Sequence, residues 1–194
     1  MTFTDQPNGV TAMAGAAEVI EFQTATLPIL IERASRTLME ARTSGEVLEA
    51  RDMASVAYDA AKSALRIAKA KKAHDTVIAA IHRAQGDALL VEARAKMRLA
   101  DEYDAAQERG EVASNGGDKS RIPDRNSAPT AAEIGLKHKD VHEARKLRDA
   151  EKASPGKAER VLKEITSRGE APTKAKLQRE GVEKPAKPAK EPVA

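Results

Sequence analysis

The sequence predicts an all-α chain: a long, alanine-rich antiparallel helical hairpin resembling a coiled coil, a small helix-turn-helix-like helical module, and disordered tails. Two observations on composition favour this fold class. Alanine supplies 38 of the 194 residues, whereas Val, Ile, Leu and Phe together supply 34. The chain also contains two Phe, two Tyr and no Trp. Alanine is the best helix former, while strands need β-branched and aromatic side chains, so sandwiches, barrels and doubly wound sheets are disfavoured.

Changes in composition along the chain predict five segments. The spacing of apolar residues indicates helix in two of them, and Pro, Gly, Ser and Lys are typical of the other three. The segments are a disordered N-terminal tail (1–16), a helical hairpin and oligomerisation region (17–110), a flexible linker (111–129), the helix-turn-helix-like module (130–180) and a disordered Lys/Pro tail (181–194). The first 110 residues carry 14 basic and 16 acidic side chains, and the remaining residues carry 19 and 14. The second part is therefore mildly basic.

The first helices are predicted from local signals. We expect a helix from about Glu18 that starts or kinks at Pro28, and a second helix capped by Ser44. Asp75 is expected to cap a third helix, which Gly110 ends.

Two heptad stripes predict the helix–helix interface. The first stripe is almost wholly alanine, and small side chains allow helices to approach closely. The interface residues are Val47, Ala50, Ala54, Ala57, Ala61, Ala64 and Ala68 on one helix and Val77, Ile81, Ala84, Ala88, Val91, Ala95 and Leu99 on the other. Two arrangements fit: a hairpin of 46–72 against 76–109 within one chain, or one continuous helix through residue 74 that pairs between chains.

Some large side chains lie off these stripes. Tyr58, Leu65, Leu89 and Leu90 are expected either to pack within the chain or to cover a second interface with a partner. The excess length of the third helix is expected to pack on residues 18–42 or on another subunit.

Residues 130–152 predict a helix-turn-helix. Thr130 and Glu133 form a capping-box pattern at the start of a first helix, and a second helix is expected from about His138 to Lys152. Ala131, Gly135 and Val141 have the offsets of a small crossing residue, a turn glycine and an apolar seat. The candidate DNA-binding residues, which we expect to lie outward or toward the turn, are Lys137, His138, Lys139, His142, Arg145 and Lys146. Lysine and arginine at such positions neutralise phosphates, although acidic neighbours also place negative charge there.

The segments 130–136 and 139–147 resemble the helix-turn-helix region of ParB/KorB-type DNA-binding proteins. The following segments 154–157, 161–162 and 168–173 resemble the next helices of that family. The resemblance covers about 50 residues and implies only DNA contact by the helix that begins near His138. The ParB nucleotide-binding motif is missing, so its nucleotide-dependent activity is not implied. With residues 116–120 (Gly-Gly-Asp-Lys-Ser) after an Ala- and Arg-rich helix, the whole chain also looks like uncharacterised helical proteins of proteobacterial prophages and mobile elements.

Several function classes are disfavoured. The chain has no cysteine, no Gly-rich phosphate loop and no apolar run near the length of a membrane span of about 20 residues. We therefore expect no enzyme activity, no cofactor, no metal site, no small-molecule substrate and no membrane association, and a cytoplasmic location. His138 and His142 stand at i, i+4 without an evident third metal ligand.

Two functions remain. The first is a DNA-associated accessory or regulatory protein of a phage or mobile element, which oligomerises through its N-terminal helices and contacts double-stranded DNA. The alternative is a helical scaffold, adaptor or antagonist that binds a protein partner and no DNA.

Overall fold

A computed structural model describes residues 9–113, 128–133 and 136–182, with side chains from residue 25 onward. Within these ranges the chain forms six helices and no strand, so the all-α prediction is confirmed. The helices are α1 (Gly9–Glu40), α2 (Ser44–Ala70), α3 (Asp75–Glu108), α4 (His138–Ala153), α5 (Lys157–Ser167) and α6 (Lys174–Val182). None of these helices is long and apolar enough to cross a membrane.

Helices α2 and α3 form an antiparallel hairpin within one chain. Helix α2 ends at Ala70, and the turn back is made at Lys72, whose φ of 52° lies in the left-handed region. The amide of Ala73 then donates to the Ala68 carbonyl at 2.9 Å. The alternative of a continuous helix through residue 74 is therefore wrong, because the left-handed residue and its hydrogen bond terminate α2.

The alanine stripe lies in the centre of the hairpin. All seven stripe residues of α2 are buried, and Ile81, Ala88, Val91, Ala95 and Leu99 are buried on α3, while Val77 and Ala84 are half-buried. Helix α1 packs antiparallel to α2, with Leu27 beside Ala61 and Ala34 beside Ala54. Small side chains let three helices meet along this stripe, since Ala34 and Ala54 are fully buried.

The helix starts differ from the predicted ones. Helix α1 begins at Gly9 rather than near Glu18, and Pro28 lies inside it. Thr43, not Ser44, caps α2, because its hydroxyl accepts from the Glu46 amide at 3.3 Å while the Glu46 carboxylate accepts from the Thr43 amide at 3.0 Å. This reciprocal pair satisfies two backbone donors, which Ser44 alone does not do.

His74 similarly replaces the expected Asp75 as the cap of α3. Its Nδ1 accepts from the Thr76 amide at 3.3 Å, and Asp75 is the first residue of the helix. At the other end Gly110 has a φ of +73°, which is the left-handed stop that the sequence predicts.

The C-terminal helices share a hydrophobic core with the hairpin. Tyr58 and Leu89, which lie off the alanine stripes, are buried against Leu147, Leu162 and Leu177 of α4, α5 and α6. Tyr58 and Leu89 thus pack within the chain, which is one of the two expected arrangements, whereas Leu90 is half-buried and lines a groove. The C-terminal end of α3 packs in the same way, since Tyr103 lies in a cluster with Val141 of α4.

The connection between α5 and α6 covers polar side chains of α3. His82 and Gln85 are 3% and 2% exposed, and the neighbouring Gly86 lies close to Pro172 of that connection. Burial lowers the pKa of His82, and the charges of two lysines, Lys69 and Lys176, lower it further.

Residues 130–133 form a capping box without the predicted helix. The Thr130 amide donates to the Glu133 carboxylate at 2.6 Å, and the Glu133 amide donates to the Thr130 hydroxyl at 3.4 Å. Residues 131–133 are nevertheless a turn. Residues 130–133 therefore do not form the predicted first helix. Pro129 immediately precedes their cap. The predicted turn residue Gly135 lies outside the described residues, as does most of the linker.

Candidate nucleic-acid interface

Helix α4 lies along the C-terminal half of α3, and its apolar face is directed toward α3. Val141, Ala144 and Leu147 recur at spacings of three residues and are 7%, 5% and 5% exposed. This spacing places all three on one face of the helix. Val141 contacts the cluster around Tyr103 and Ala131, so the predicted apolar seat for this helix is on α3 as well as on the preceding turn.

Two aspartates of α3 fix the orientation of α4. Asp104 accepts hydrogen bonds from Arg145 Nε at 2.8 Å and from Arg148 Nη1 at 2.5 Å. Asp101 accepts from Lys152 Nζ at 2.8 Å and lies 3.4 Å from Arg148. We call Asp101 and Asp104 the acid pair. They stand one turn apart on α3, and therefore match cations spaced along α4.

The surroundings of Asp104 favour its charged form. Burial raises the pKa of the Asp104 carboxyl, but hydrogen bonds from Arg148 and Arg145 outweigh this effect and hold the pKa below 3.8. Arg145 also donates to the Gln107 side chain at 2.8 Å and lies 5.4 Å from the centre of the Tyr103 ring. Charge-assisted hydrogen bonds of this kind are about twice as strong as neutral ones.

Arg145 was predicted to face outward or toward the turn, and this orientation is wrong. Its position between the buried face and the outer face of α4 brings its guanidinium within reach of Asp104 and Tyr103. The pairing with α3 depends on residues about 40 positions away along the chain, so local helical spacing does not predict it.

Three of the remaining candidate residues lie together on the outer side of α4. Lys139, His142 and Lys146 are exposed and follow an i, i+3, i+7 spacing, which places them in one row. Lys137 precedes the helix as its N-cap and is exposed too. We call these four residues the outer row. His138 is the exposed first residue of α4.

The acidic residues of α4 flank the outer row more than they interrupt it. Asp140 lines a cavity of about 260 Å³ between α4 and the hairpin. Glu143 lines the neighbouring cavity of about 440 Å³ and lies 3.8 Å from Lys139. Asp149 pairs with Arg148 at 3.0 Å. Among the described residues, Lys137 and Lys146 have no carboxylate partner.

Two cations of α4 were missed by the sequence reasoning. Arg148 and Lys152 continue the line of Arg145 at i+3 and i+7, and all three contact the acid pair. The signal that could have identified them is the i, i+3 spacing of Asp101 and Asp104 on a helix whose end extends beyond its hairpin partner.

A carboxylate near the end of α4 also stabilises the turn that leads into α5. The Glu151 carboxylate accepts from the amides of Gly156 at 2.5 Å and Ala158 at 3.0 Å, which are otherwise unsatisfied donors at the start of α5. Gly156 has a φ of +77°, a conformation that glycine adopts without a steric penalty. Helices α4 and α5 are therefore joined by a short, hydrogen-bonded turn.

Helix α6 is attached to the hairpin through a largely buried carboxylate. Glu92 of α3 is 4% exposed and lies 2.9 Å from Lys174 Nζ and 2.7 Å from Lys96 Nζ. Lys174 also donates to the Ser55 hydroxyl at 3.0 Å and lies 5.4 Å from the centre of the Tyr58 ring. These contacts hold Lys174, a cation of α6, against the hairpin.

No protein-family model, no curated protein and no solved structure matches this chain. A function for this chain must therefore be inferred from the placement of its own side chains.

Proposed function

We propose that the protein is a non-enzymatic, DNA-associated accessory or regulatory protein that contacts the phosphates of double-stranded DNA through the outer row of α4. The observation that carries this proposal is the distribution of the cations around α4. The cations that face α3 pair with the acid pair, whereas Lys137, Lys139 and Lys146 are exposed. Exposed lysines supply the sequence-independent part of DNA affinity by neutralising phosphates and releasing counterions.

The start of α4 adds to this surface. Lys137 provides no side-chain hydrogen bond to the first turn of the helix. Backbone N–H groups at a helix start favour anions, and phosphate contacts at such positions are common in protein–DNA complexes. A phosphate near Lys137 would thus meet a lysine and the positive end of the helix dipole.

Association with a phage or mobile element, and oligomerisation, belong to the same proposal. The alanine stripes do not supply the oligomer interface, because they are buried within one chain. An oligomer would instead use exposed apolar residues of α1 and α2, of which Ile29 is 65% exposed, Met39 75% and Val56 61%.

Binding of a labelled duplex, measured by fluorescence anisotropy at low salt, tests the proposal. The test variant carries Lys139→Glu and Lys146→Glu, and the matched control carries Lys62→Glu and Arg66→Glu on the exposed side of α2. Both variants change the net charge equally. We expect the test variant to lose at least tenfold in affinity and the control less than threefold.

Equal losses in the two variants would show that net charge, and not the outer row, governs binding. Point substitutions are preferable to truncation here. Because α4, α5 and α6 share a core with Tyr58 and Leu89, removing residues 111–194 would expose apolar surface of the hairpin.

Binding to a protein partner is the second candidate function, and a groove between α1 and α3 favours it. The groove has a volume of about 690 Å³ and is lined by apolar residues that include Ile31, Leu90 and Val91. Met39, which is 75% exposed, lies on the same lining. Loss of partner binding on Met39→Glu, with duplex binding unchanged, would support this second function.

A further inference from the structure

The acid pair and the cations that it holds form an interaction that the outer row does not explain. Asp101 and Asp104 bind three cations of α4, although burial of Val141, Ala144 and Leu147 already attaches that helix to α3. Because the apolar contacts already attach α4, the three charge-assisted contacts are not needed for docking alone. The cations therefore have the capacity for a second role.

The three cations differ in how accessible they are. The side chain of Arg148 is 13% exposed, whereas those of Arg145 and Lys152 are 36% and 64% exposed. Arg148 therefore belongs to the interface between α3 and α4. Arg145 and Lys152, which we call the rim cations, lie at its edge and can change partner by side-chain rotation without undocking of the helix.

The carboxylates of the acid pair are accessible as well. The side chain of Asp101 is 50% exposed and that of Asp104 is 29% exposed. A partly exposed ion pair contributes little to stability because solvent screens it and because ordering the side chains costs entropy. An incoming phosphate, which is also an anion that accepts several hydrogen bonds, can therefore compete with these carboxylates for the rim cations.

We infer that Arg145 and Lys152 are a second set of phosphate-binding residues and that Asp101 and Asp104 restrain them in the unbound protein. This inference rests on the proposed function, since it concerns the same nucleic-acid surface. In wild type the contacts to a duplex come from the outer row, because the acid pair competes with phosphates for the rim cations. Neutralising the acid pair frees both rim cations to contact phosphates beside the outer row. The acid pair thus lowers affinity for nucleic acid, and its carboxylates also repel phosphates.

Neutralising the acid pair tests the inference. The test variant is Asp101→Asn with Asp104→Asn, and the control is Glu32→Gln with Glu40→Gln on α1, which changes the net charge equally. We expect the test variant to bind a labelled duplex about tenfold more tightly than the control. Two additional phosphate contacts at a slope of about 0.9 each would also steepen the dependence of log K on log salt by up to about 1.8.

A further pair of substitutions separates release of the rim cations from simple removal of repulsion. Arg145→Gln and Lys152→Gln are added to the test variant. If the rim cations bind phosphate, this quadruple variant loses the gain in affinity and in salt slope. A gain that persists in the quadruple variant would overturn the inference, because only repulsion by the acid pair would then explain it.

Far-UV circular dichroism checks that the variants fold, and the single variant Asp101→Asn provides a milder version of the test. This variant frees Lys152 alone, so the expected increase in slope is about 0.9. If wild type and its outer-row variant behave as proposed but the acid-pair variant binds like its control, the inference is wrong and the proposed function stands. If neither wild type nor the acid-pair variant binds the duplex, both are wrong.

Discussion

Truncation of Leu89 to alanine tests whether the hairpin and the C-terminal helices form one core. Leu89 is 2% exposed and lies in a cluster with Tyr58, Leu147, Leu162 and Leu177. Removing three carbon atoms costs about 2.4 kcal/mol at about 0.8 kcal/mol for each. The cavity left behind adds to this cost, so we expect about 3 kcal/mol in all. For a chain of this size the melting temperature should fall by about 6–12 °C.

The two tyrosines provide the assay. The chain has no Trp, and Tyr58 and Tyr103 both lie between the hairpin and the C-terminal segments. Tyrosine fluorescence therefore reports on this contact, while far-UV circular dichroism reports on helix content. In urea, both signals should change in one coincident transition, and in Leu89→Ala both should shift to lower denaturant together.

The control for this experiment is Ile29→Ala, because Ile29 is 65% exposed and its truncation should change stability by less than about 0.5 kcal/mol. A cost below about 1 kcal/mol for Leu89→Ala would contradict the shared core. So would a tyrosine transition that precedes the loss of helix, since the C-terminal helices would then undock as a separate unit.

Three other substitutions test individual features. Gly110→Ala should lower the free energy of unfolding by about 1 kcal/mol, because Gly110 has a φ of +73° with open space around it. Gly45→Ala, in the first turn of α2, should be neutral or stabilising. Chemical denaturation measures both substitutions, and equal effects would contradict a cost due to the left-handed backbone at Gly110. Thr43→Ala should cost about 1 kcal/mol through loss of the cap of α2, while Thr43→Asn should cost less; a loss that Asn does not reduce would argue against capping. The pKa of His82 lies below 6.5 in the folded chain, so the unfolded chain is protonated first as pH falls. The stability present above pH 6.5 should decline as pH falls through the folded-state pKa. His82→Gln should flatten this part of the profile of stability against pH in denaturation experiments. An unchanged profile would assign the decline to other groups.

The helical hairpin was predictable because its signals are local. Heptad spacing requires only that residues three and four apart share a face, and it places Val47, Ala54 and Ala61 correctly on the buried side. The stop at Gly110 is equally local, since glycine alone adopts a φ of +73° without strain. The capping residue of α2 was assigned one position too late because Thr43 and Ser44 are both good caps, and only the reciprocal bond to Glu46 distinguishes them.

The candidate site was predictable only in part because its contacts join distant segments. Lys139 and Lys146 lie on the exposed side that helical periodicity indicates. Arg145 has a similar place in the pattern, yet Asp104 and Tyr103 of another helix draw it inward. Helical spacing orders the faces of one helix, but it does not indicate which face meets a distant carboxylate.

The salt dependence of duplex binding tests the central claim most directly. If Lys137, Lys139 and Lys146 each neutralise one phosphate, log K for a labelled duplex should fall linearly with log salt at a slope of about −2.7. The Lys139→Glu, Lys146→Glu variant should lose about 1.8 of that slope, while the Lys62→Glu, Arg66→Glu control keeps it. Absence of duplex binding by wild type at low salt, or a slope that the outer-row variant leaves unchanged, would contradict the account.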